Sequence, residues 1–576
     1  MVAIILAILS AVSKVQAGET YCNPIDIDYK YNFEGRRAGI SYRSGADPVI
    51  INHEGKYYLF ETIGYGFWRS DNLRDWEHVK PAGWPQADIV APAALSAKGK
   101  LFLFPSTYEQ RPIYVVTDPA GAQPKLEVFN DSLPLLPGAP GPWDPALFHD
   151  EESDAWFMYF GSSNLYPIYG IALDAKLNYR AAAQPMITLQ PEIHGWERFG
   201  QDHRFDTKPF TEGAWMTKYA GKYYLQSAAP GTEYNVYANG VYVGDKPMGP
   251  FTYAAHNPFS YKPGGFVQGA GHGNTFQDKH GNYWNTGTPW VAVNYDFERR
   301  IAMFPAGFDK DGVMFANTRF GDFPQRVPKA KWAKADDLFA GWMLLSYRKP
   351  VSASSTRYPF GAGGVTDENP RTFWLAEKNG AGEWLTVDLA NVCEVRALQV
   401  NFTDYKSGLF GEGPEIRTQF VLRGSVDGKT WTMLADLSGE RRDRPNAYLE
   451  LKEPARVRFV RYEHIHVGSP NLAISDLRVF GKGVGDMPAT PGGLNVRRDG
   501  DARNAHLVWR DVEGAVGYNV RWGIAADKLY STYQMWGDQR PRLEIRSLTV
   551  GQKYFFAIES FNEVGVSKLS DVVEMP

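Results

Sequence analysis

The chain has 576 residues, more than one core normally holds, so three or more domains are expected. Its 61 basic and 65 acidic residues leave a net charge of -4, which gives nucleic acid no electrostatic reason to bind. With 17 Trp, 32 Tyr, 33 Phe, 57 Gly and 38 Pro, the composition is that of aromatic strands broken by tight turns, an all-β style. No internal apolar run approaches the ~20 residues of a membrane span.

In chain order, the first element is an apolar run from Val2 to Val12 followed by Val15-Gln16-Ala17. It resembles a secretory h-region with a cut after Ala17, so residues 1–17 are predicted to be a signal peptide and the protein to be exported, periplasmic or extracellular. Cys22 stands a few residues beyond that cut and Cys393 is far away, so stability must come from core burial and not from disulfides.

From residue 45 to 330 one pattern recurs five times: a polar turn, then an aromatic and aliphatic strand. The copies are Glu54-Gly55-Lys56-Tyr57-Tyr58-Leu59-Phe60, Lys98-Gly99-Lys100-Leu101-Phe102-Leu103-Phe104, Asp154-Ala155-Trp156-Phe157-Met158-Tyr159, Ala220-Gly221-Lys222-Tyr223-Tyr224-Leu225 and His280-Gly281-Asn282-Tyr283-Trp284. Their turns lie roughly 45 to 70 residues apart, the length of a four-stranded propeller blade with its loops. The fold predicted for residues 18–330 is a five-bladed β-propeller.

Two β-sandwiches are predicted beyond it. Residues 344–483 carry Asp367-Glu368-Asn369-Pro370-Arg371-Thr372-Phe373-Trp374, Glu383-Trp384-Leu385-Thr386-Val387-Asp388-Leu389, Gly424-Ser425-Val426-Asp427-Gly428-Lys429-Thr430-Trp431 and Ile474-Ser475-Asp476-Leu477-Arg478-Val479-Phe480. This order resembles a discoidin-type (coagulation factor type C) domain, which serves as a structural brace or a sugar-binding module. After the stiff linker Pro488-Ala489-Thr490-Pro491, period-two strands such as Gly517-Tyr518-Asn519-Val520-Arg521-Trp522 run through residues 488–576 and resemble a fibronectin type III domain. A spacer role is expected of it.

Three acids carry the chemistry: Asp47 in Gly45-Ala46-Asp47-Pro48, Asp144 in Trp143-Asp144-Pro145-Ala146, and Glu212 in Glu212-Gly213-Ala214-Trp215. Each stands just before a hairpin of the repeat, which delivers one carboxylate per blade toward a common centre. Glycoside hydrolysis needs such a set, an acid to protonate the leaving oxygen and a base to activate water. The frames and the repeat together resemble glycoside hydrolase family 43. That resemblance implies Asp47 as general base, Asp144 as the group that tunes the acid, Glu212 as general acid, and inversion at the anomeric carbon. A general acid must keep its proton near neutrality, so Glu212 should lie near negative charge or away from water.

The resemblance also implies an active-site Arg at Arg299, with Arg300 beside it as the competing assignment, and places His272 in Gly271-His272-Gly273 near a metal or water in the central channel. No cofactor is required for the chemistry, and any Ca²⁺ held there mainly by water would be structural. Trp68, Trp143, Trp215 and His203 are expected to contact substrate. An insert from Pro191 to Asp206 points to a closed pocket and exo-action. The expected function is an exo-acting α-L-arabinofuranosidase on polysaccharide side chains. A β-D-galactofuranosidase, a β-xylosidase and a non-catalytic glycan-binding adhesin remain open, and a monomer is expected.

Overall fold

The structure, a computed structural model, describes residues 18–85, 89–106, 112–131, 133, 135–539 and 541–576. The expected signal peptide, residues 1–17, lies outside the described residues. Secondary structure is strand throughout, with a few short 3-10 turns. Among the described residues no helix is long and apolar enough to cross a membrane. Cys22 and Cys393 are both free and buried.

Five four-stranded antiparallel meanders occupy residues 49–79, 90–130, 146–187, 212–253 and 275–316. We call them blades 1 to 5. Each of the five turns read from the sequence joins the first two strands of one blade: Val49–His53 pairs with Lys56–Phe60, Val90–Ala97 with Lys100–Ser106, and so on to Thr275–Gln277 with Tyr283–Gly287. Positive φ at Glu54, Lys98, Asp154, Ala220 and Gly281 bends these turns tightly enough to match the strand twist.

The first strand of each blade packs on the first strand of the next, and that of blade 5 returns to blade 1, closing a ring. Asn274 fastens the closure: its side-chain amide donates to the Ile50 carbonyl at 2.8 Å and its Oδ1 accepts from the Ile50 N–H at 2.9 Å. The molecule is therefore all-β, with a five-bladed propeller at its N-terminal end.

Residues 343–482 form an eight-stranded sandwich around Trp374, Leu398, Phe420 and Tyr462, built on the long strands Trp384–Phe402 and Asn446–Val467. A second sandwich, of three and four strands, spans residues 495–575. Its core, with Leu507, Tyr518 and Trp522, is continuous with Trp196, Val236 and Tyr261 of the propeller.

The three units meet around buried charge. Arg478 binds both oxygens of Glu368, at 2.8 and 2.9 Å, and donates to the Asp322 carbonyl at 2.6 Å. Lys262 lies 3.5 Å from Asp322 and from Gln534 of the last domain. Arg43 pairs with Asp404 and, at 2.8 Å, with Asp443. Both sandwiches are thus rigidly braced on the propeller.

Candidate active site

Just before or inside the first strand of every blade, one residue takes a left-handed backbone: Asp47 (φ 54°), Ala91 (36°), Asp144 (47°), Gly213 (60°) and His272 (42°). For a residue other than glycine this costs of the order of 1–3 kcal/mol, so the surroundings must impose it. Side-chain hydroxyls beyond the second strand of the preceding blade do so. The N–H of Ala91 donates to Thr62 Oγ1 (2.8 Å), that of Asp144 to Ser106 Oγ (2.9 Å), and that of Asp47 to Thr288 Oγ1 (3.0 Å). Thr288 also donates to the His272 carbonyl at 3.0 Å. The result is five equivalent positions around one ring, carrying Asp, Ala, Asp, Gly and His.

Glycine at 213 is required. A Cβ there would stand 2.9 Å from the His272 ring. The open space lets the imidazole lie against the backbone beside Glu212. Gly271 does the same for Tyr237, whose ring would meet a Cβ at 2.6 Å.

These positions bring the three acids together. Asp47 is buried, and its Oδ2 accepts from the Thr62 hydroxyl at 2.6 Å. Its Oδ1 makes no aligned hydrogen bond, yet it lies 3.0 Å from His272 Nδ1 and 3.6 Å from Arg299 Nη1. Burial favours the neutral acid, but the His272 and Arg299 cations outweigh it and hold the Asp47 carboxyl well below its usual range. The partner imidazole responds in the opposite direction: burial lowers it, Asp47 and Asp144 raise it, and the balance lifts His272 to about 9.

Asp144 Oδ2 is 3.7 Å from His272 Nδ1, and one oxygen each of Asp144 and Glu212 and one His272 nitrogen lie within 4.8 Å of one another. Burial, then the negative charges of Glu212 and Asp47, push Asp144 up to about 7 against the pull of His272. Glu212 accepts from Ser162 Oγ at 3.0 Å and from the buried Tyr237 hydroxyl. The negative neighbour expected for Glu212 is therefore in place.

Asp144, Glu212 and His272 also fit a cation, because ligands across a Ca²⁺ at 2.3–2.6 Å stand about this far apart. To serve as a ligand the imidazole would have to be neutral, against the positive charge that Asp47 and Asp144 favour on it.

The two candidate arginines separate cleanly. Arg299 faces Asp47 and donates to Thr232 Oγ1 at 3.4 Å. Arg300 turns the other way, to Asn446 at 3.1 Å and Asp404 at 3.5 Å in the first sandwich.

Three expected substrate contacts do not hold. Trp215 is buried between blades, with its indole N–H donated to the Thr275 carbonyl at 2.8 Å. Trp68 is fully buried in another core cluster and donates to Asp28 at 2.6 Å. His203 is buried against the last sandwich, its nitrogens bonded to the Arg198 carbonyl and the Tyr261 hydroxyl, each at 2.9 Å. Trp143, next in sequence to Asp144, is half-buried.

The insert from Pro191 to Asp206 is likewise a docking strap and not a pocket wall. Gly195 N–H bonds the Leu548 carbonyl at 2.9 Å, and Arg198 reaches Asp501 and Asn504 at 3.0 and 2.6 Å.

Sequence reasoning missed Thr62, Ser106, Ser162, Thr288 and Tyr237. The four hydroxyls have a recoverable signal, since each ends or closely follows a second strand of the repeat, as in Phe60-Glu61-Thr62 and Phe160-Gly161-Ser162. It also missed Tyr295 and Phe297, 37% and 38% exposed on the loop that delivers Arg299, whose guanidinium lies 5.3 Å from the Phe297 ring.

Residues 38–314 match the family profile "Glycosyl hydrolases family 43". That region, just under half of the chain, is similar to the family 43 glycosyl hydrolases. Residues 350–474 match the F5/8 type C domain, which agrees with the discoidin resemblance of the first sandwich. Among curated proteins the chain is similar to "Xylosidase/arabinosidase 43A" of Humicola insolens, 27% identical over 208 residues. That match covers 30% of this chain and 60% of the relative's length.

Among solved structures, the chain is similar to a thermostable family-43 glycoside hydrolase, with 21% identity, 54% of this chain and 100% of the other covered, and a TM-score of 0.42. It is also similar to the GH43 BlXynB protein from Bacillus licheniformis, at 14% identity, 79% and 100% covered, and TM-score 0.39.

Proposed function

We propose that the chain is an exported, exo-acting glycoside hydrolase that removes a terminal furanose, α-L-arabinofuranose before others, from polysaccharide side chains by single displacement with inversion. The observation that carries this reading is the Asp47–His272–Asp144–Glu212 cluster within the family 43 domain. Asp47 is the general base. With Oδ2 occupied by Thr62, its Oδ1 lone pairs are the ones available to take a proton from water.

Glu212 is the general acid and gives its proton to the leaving glycosidic oxygen, held by Tyr237 and Ser162. Asp144, pushed up to about 7 by burial and by the charges of Glu212 and Asp47, lets the Asp144–Glu212 pair keep a proton on this side of the site. Single displacement needs roughly 6.5–9.5 Å between base and acid. His272 lies 3.0 Å from Asp47 and in one cluster with Glu212. A Ca²⁺ bound by His272 and water would add positive charge to the site. Arg299, Tyr295, Phe297 and Trp143 would position the sugar.

The arabinose preference rests on the relative's name, which couples xylosidase with arabinosidase, so β-xylosidase is the second reading and β-D-galactofuranosidase the third. A glycan-binding adhesin would not need the paired base and acid. Residues 1–17, as an export signal, would place the protein in the periplasm or outside the cell. One chain carries every group named here, so a monomer suffices. The three-plus-four strand order of the last sandwich supports the fibronectin type III likeness and a bracing role.

A panel of aryl furanosides and pyranosides tests the reading. Release from the arabinofuranoside first is expected. No release from any member, together with firm glycan binding, would leave the adhesin.

A further inference from the structure

Far from the acids, a second cavity of about 410 Å³ opens where the last sandwich docks on blade 5. Its walls come from three segments: the outer strands of the propeller, the connector Lys331–Asp336, and the sandwich residues Arg521, Tyr530 and Thr532. None of the three encloses it alone. Its shape is preset, because the sandwich is locked in place on either side. Lys528 pairs with Asp309 at 2.9 Å and Asp311 at 2.6 Å, and Arg319 grips Glu559 at 2.5 and 3.0 Å.

The lining joins two kinds of chemistry. Aromatic rings make the floor: Tyr219 stacked on Phe308 at 4.0 Å, Phe315 stacked across the domain boundary on Tyr530 at 4.5 Å, and Trp332, all half-buried. Such faces take the C–H faces of sugar rings, while polar groups at the edge take hydroxyls, and the volume accommodates a short oligosaccharide.

The rim is cationic in effect. Asp309 is already bound to Lys528, while Asp336 accepts from the neutral Asn317 amide at 2.7 Å and keeps its charge, which leaves Lys331, Lys334 and Arg521 against one unpaired carboxylate. Lys331, Lys334 and Arg521 have no ion-pair partner among the described residues. Arg521 Nε is buried with no hydrogen bond, and the group's one close acceptor is the Leu529 carbonyl at 3.3 Å. A guanidinium with no salt-bridge contact, which Asp336 and Glu559 reach only through space, in a lining that also holds two lysines, favours an anionic ligand.

We propose that this seam is a non-catalytic binding site for an oligosaccharide carrying a uronate, with the rings stacked on Trp332 and Tyr530 and the carboxylate facing Arg521, Lys331 and Lys334. The last domain then does more than brace the propeller. It completes a site that holds an acidic stretch of polysaccharide while the acids work elsewhere on the molecule.

The test uses the full chain with Asp47→Asn, so that turnover does not enter and a failure of the glycosidase reading shows separately, as lack of hydrolysis by the unsubstituted protein. Calorimetric titration compares a glucuronate-bearing xylo-oligosaccharide with its neutral counterpart. Binding of the acidic ligand is expected, at least tenfold tighter than the neutral one. A loss of at least tenfold is expected in the Lys331→Ala/Lys334→Ala double variant, whose side chains are exposed, and again in Trp332→Ala. No binding, equal affinity for the neutral ligand, or affinity unchanged by the lysine substitutions would overturn the proposal.

Discussion

Replacing Glu212 with Gln separates the role of the proton from that of the shape. Glutamine keeps the length of the side chain and one carbonyl oxygen for the Tyr237 hydroxyl, while the Ser162 hydroxyl can turn to accept from the new amide. The folded state keeps both hydrogen bonds in altered form, so the change in stability is about 1 kcal/mol or less. The chemical cost is larger. A general acid contributes about 10²–10⁴ in rate, which at 1.36 kcal/mol per tenfold is about 3–5.5 kcal/mol of barrier. That cost falls only on substrates whose leaving group needs a proton. With a sugar or alkyl leaving group, kcat/KM should drop by about a thousandfold, whereas a dinitrophenyl glycoside, which leaves as a stable anion, should lose less than about tenfold. The assay is kcat/KM on both substrates, with urea unfolding to confirm the fold. Equal losses on the two substrates in a folded variant would refute the assignment of Glu212 as proton donor.

Further outcomes follow from the packing. Thr288→Val strands the Asp47 N–H and removes a donor from the His272 carbonyl, so activity should fall at least tenfold with about 1–3 kcal/mol of lost stability, read by kinetics and urea unfolding. Burial depresses His203 from 6.5 to about 3. Between those values the unfolded chain binds the extra proton, so this residue's contribution is intact above pH 6.5 and is lost as pH falls, by about 2 kcal/mol at pH 5. His203→Gln should flatten that part of the acid slope in urea titrations at pH 7.5 and 5. Arg478→Met leaves Glu368 buried without its cation, so that it must take up a proton or stay charged unpaired, and should cost about 3–5 kcal/mol by urea midpoint. A loss below 1 kcal/mol would mean that the junction is not held by this pair.

Much of the architecture was legible because it is local. The five turns announce themselves through Gly or Asp before aromatic strands, and each proved to be the first hairpin of a blade. Asp47, Asp144 and His272 were legible for a related reason: each occupies the same left-handed position of the repeat, and their neighbours Pro48, Pro145 and Gly273 mark it. What failed depends on distant contacts. An indole two or three residues from an acid reads the same whether it faces a sugar or an adjacent blade, and the inter-blade gap takes Trp215. His203 sits in a polar loop that becomes interior only once the last sandwich lies over it, which local sequence does not encode. The choice between Arg299 and Arg300 turns on which way each side chain points just before the strand Ala302–Phe308. The two neighbouring side chains point opposite ways, one toward Asp47 and one toward Asp404 in the discoidin-like domain.

The most direct test of the central claim is the anomeric configuration of the sugar first released, followed by proton NMR during turnover of an aryl α-L-arabinofuranoside. A base and an acid acting from opposite sides of the bond give the β-anomer first, with the α-anomer appearing only as mutarotation proceeds. Initial release of the α-anomer would contradict single displacement by Asp47 and Glu212.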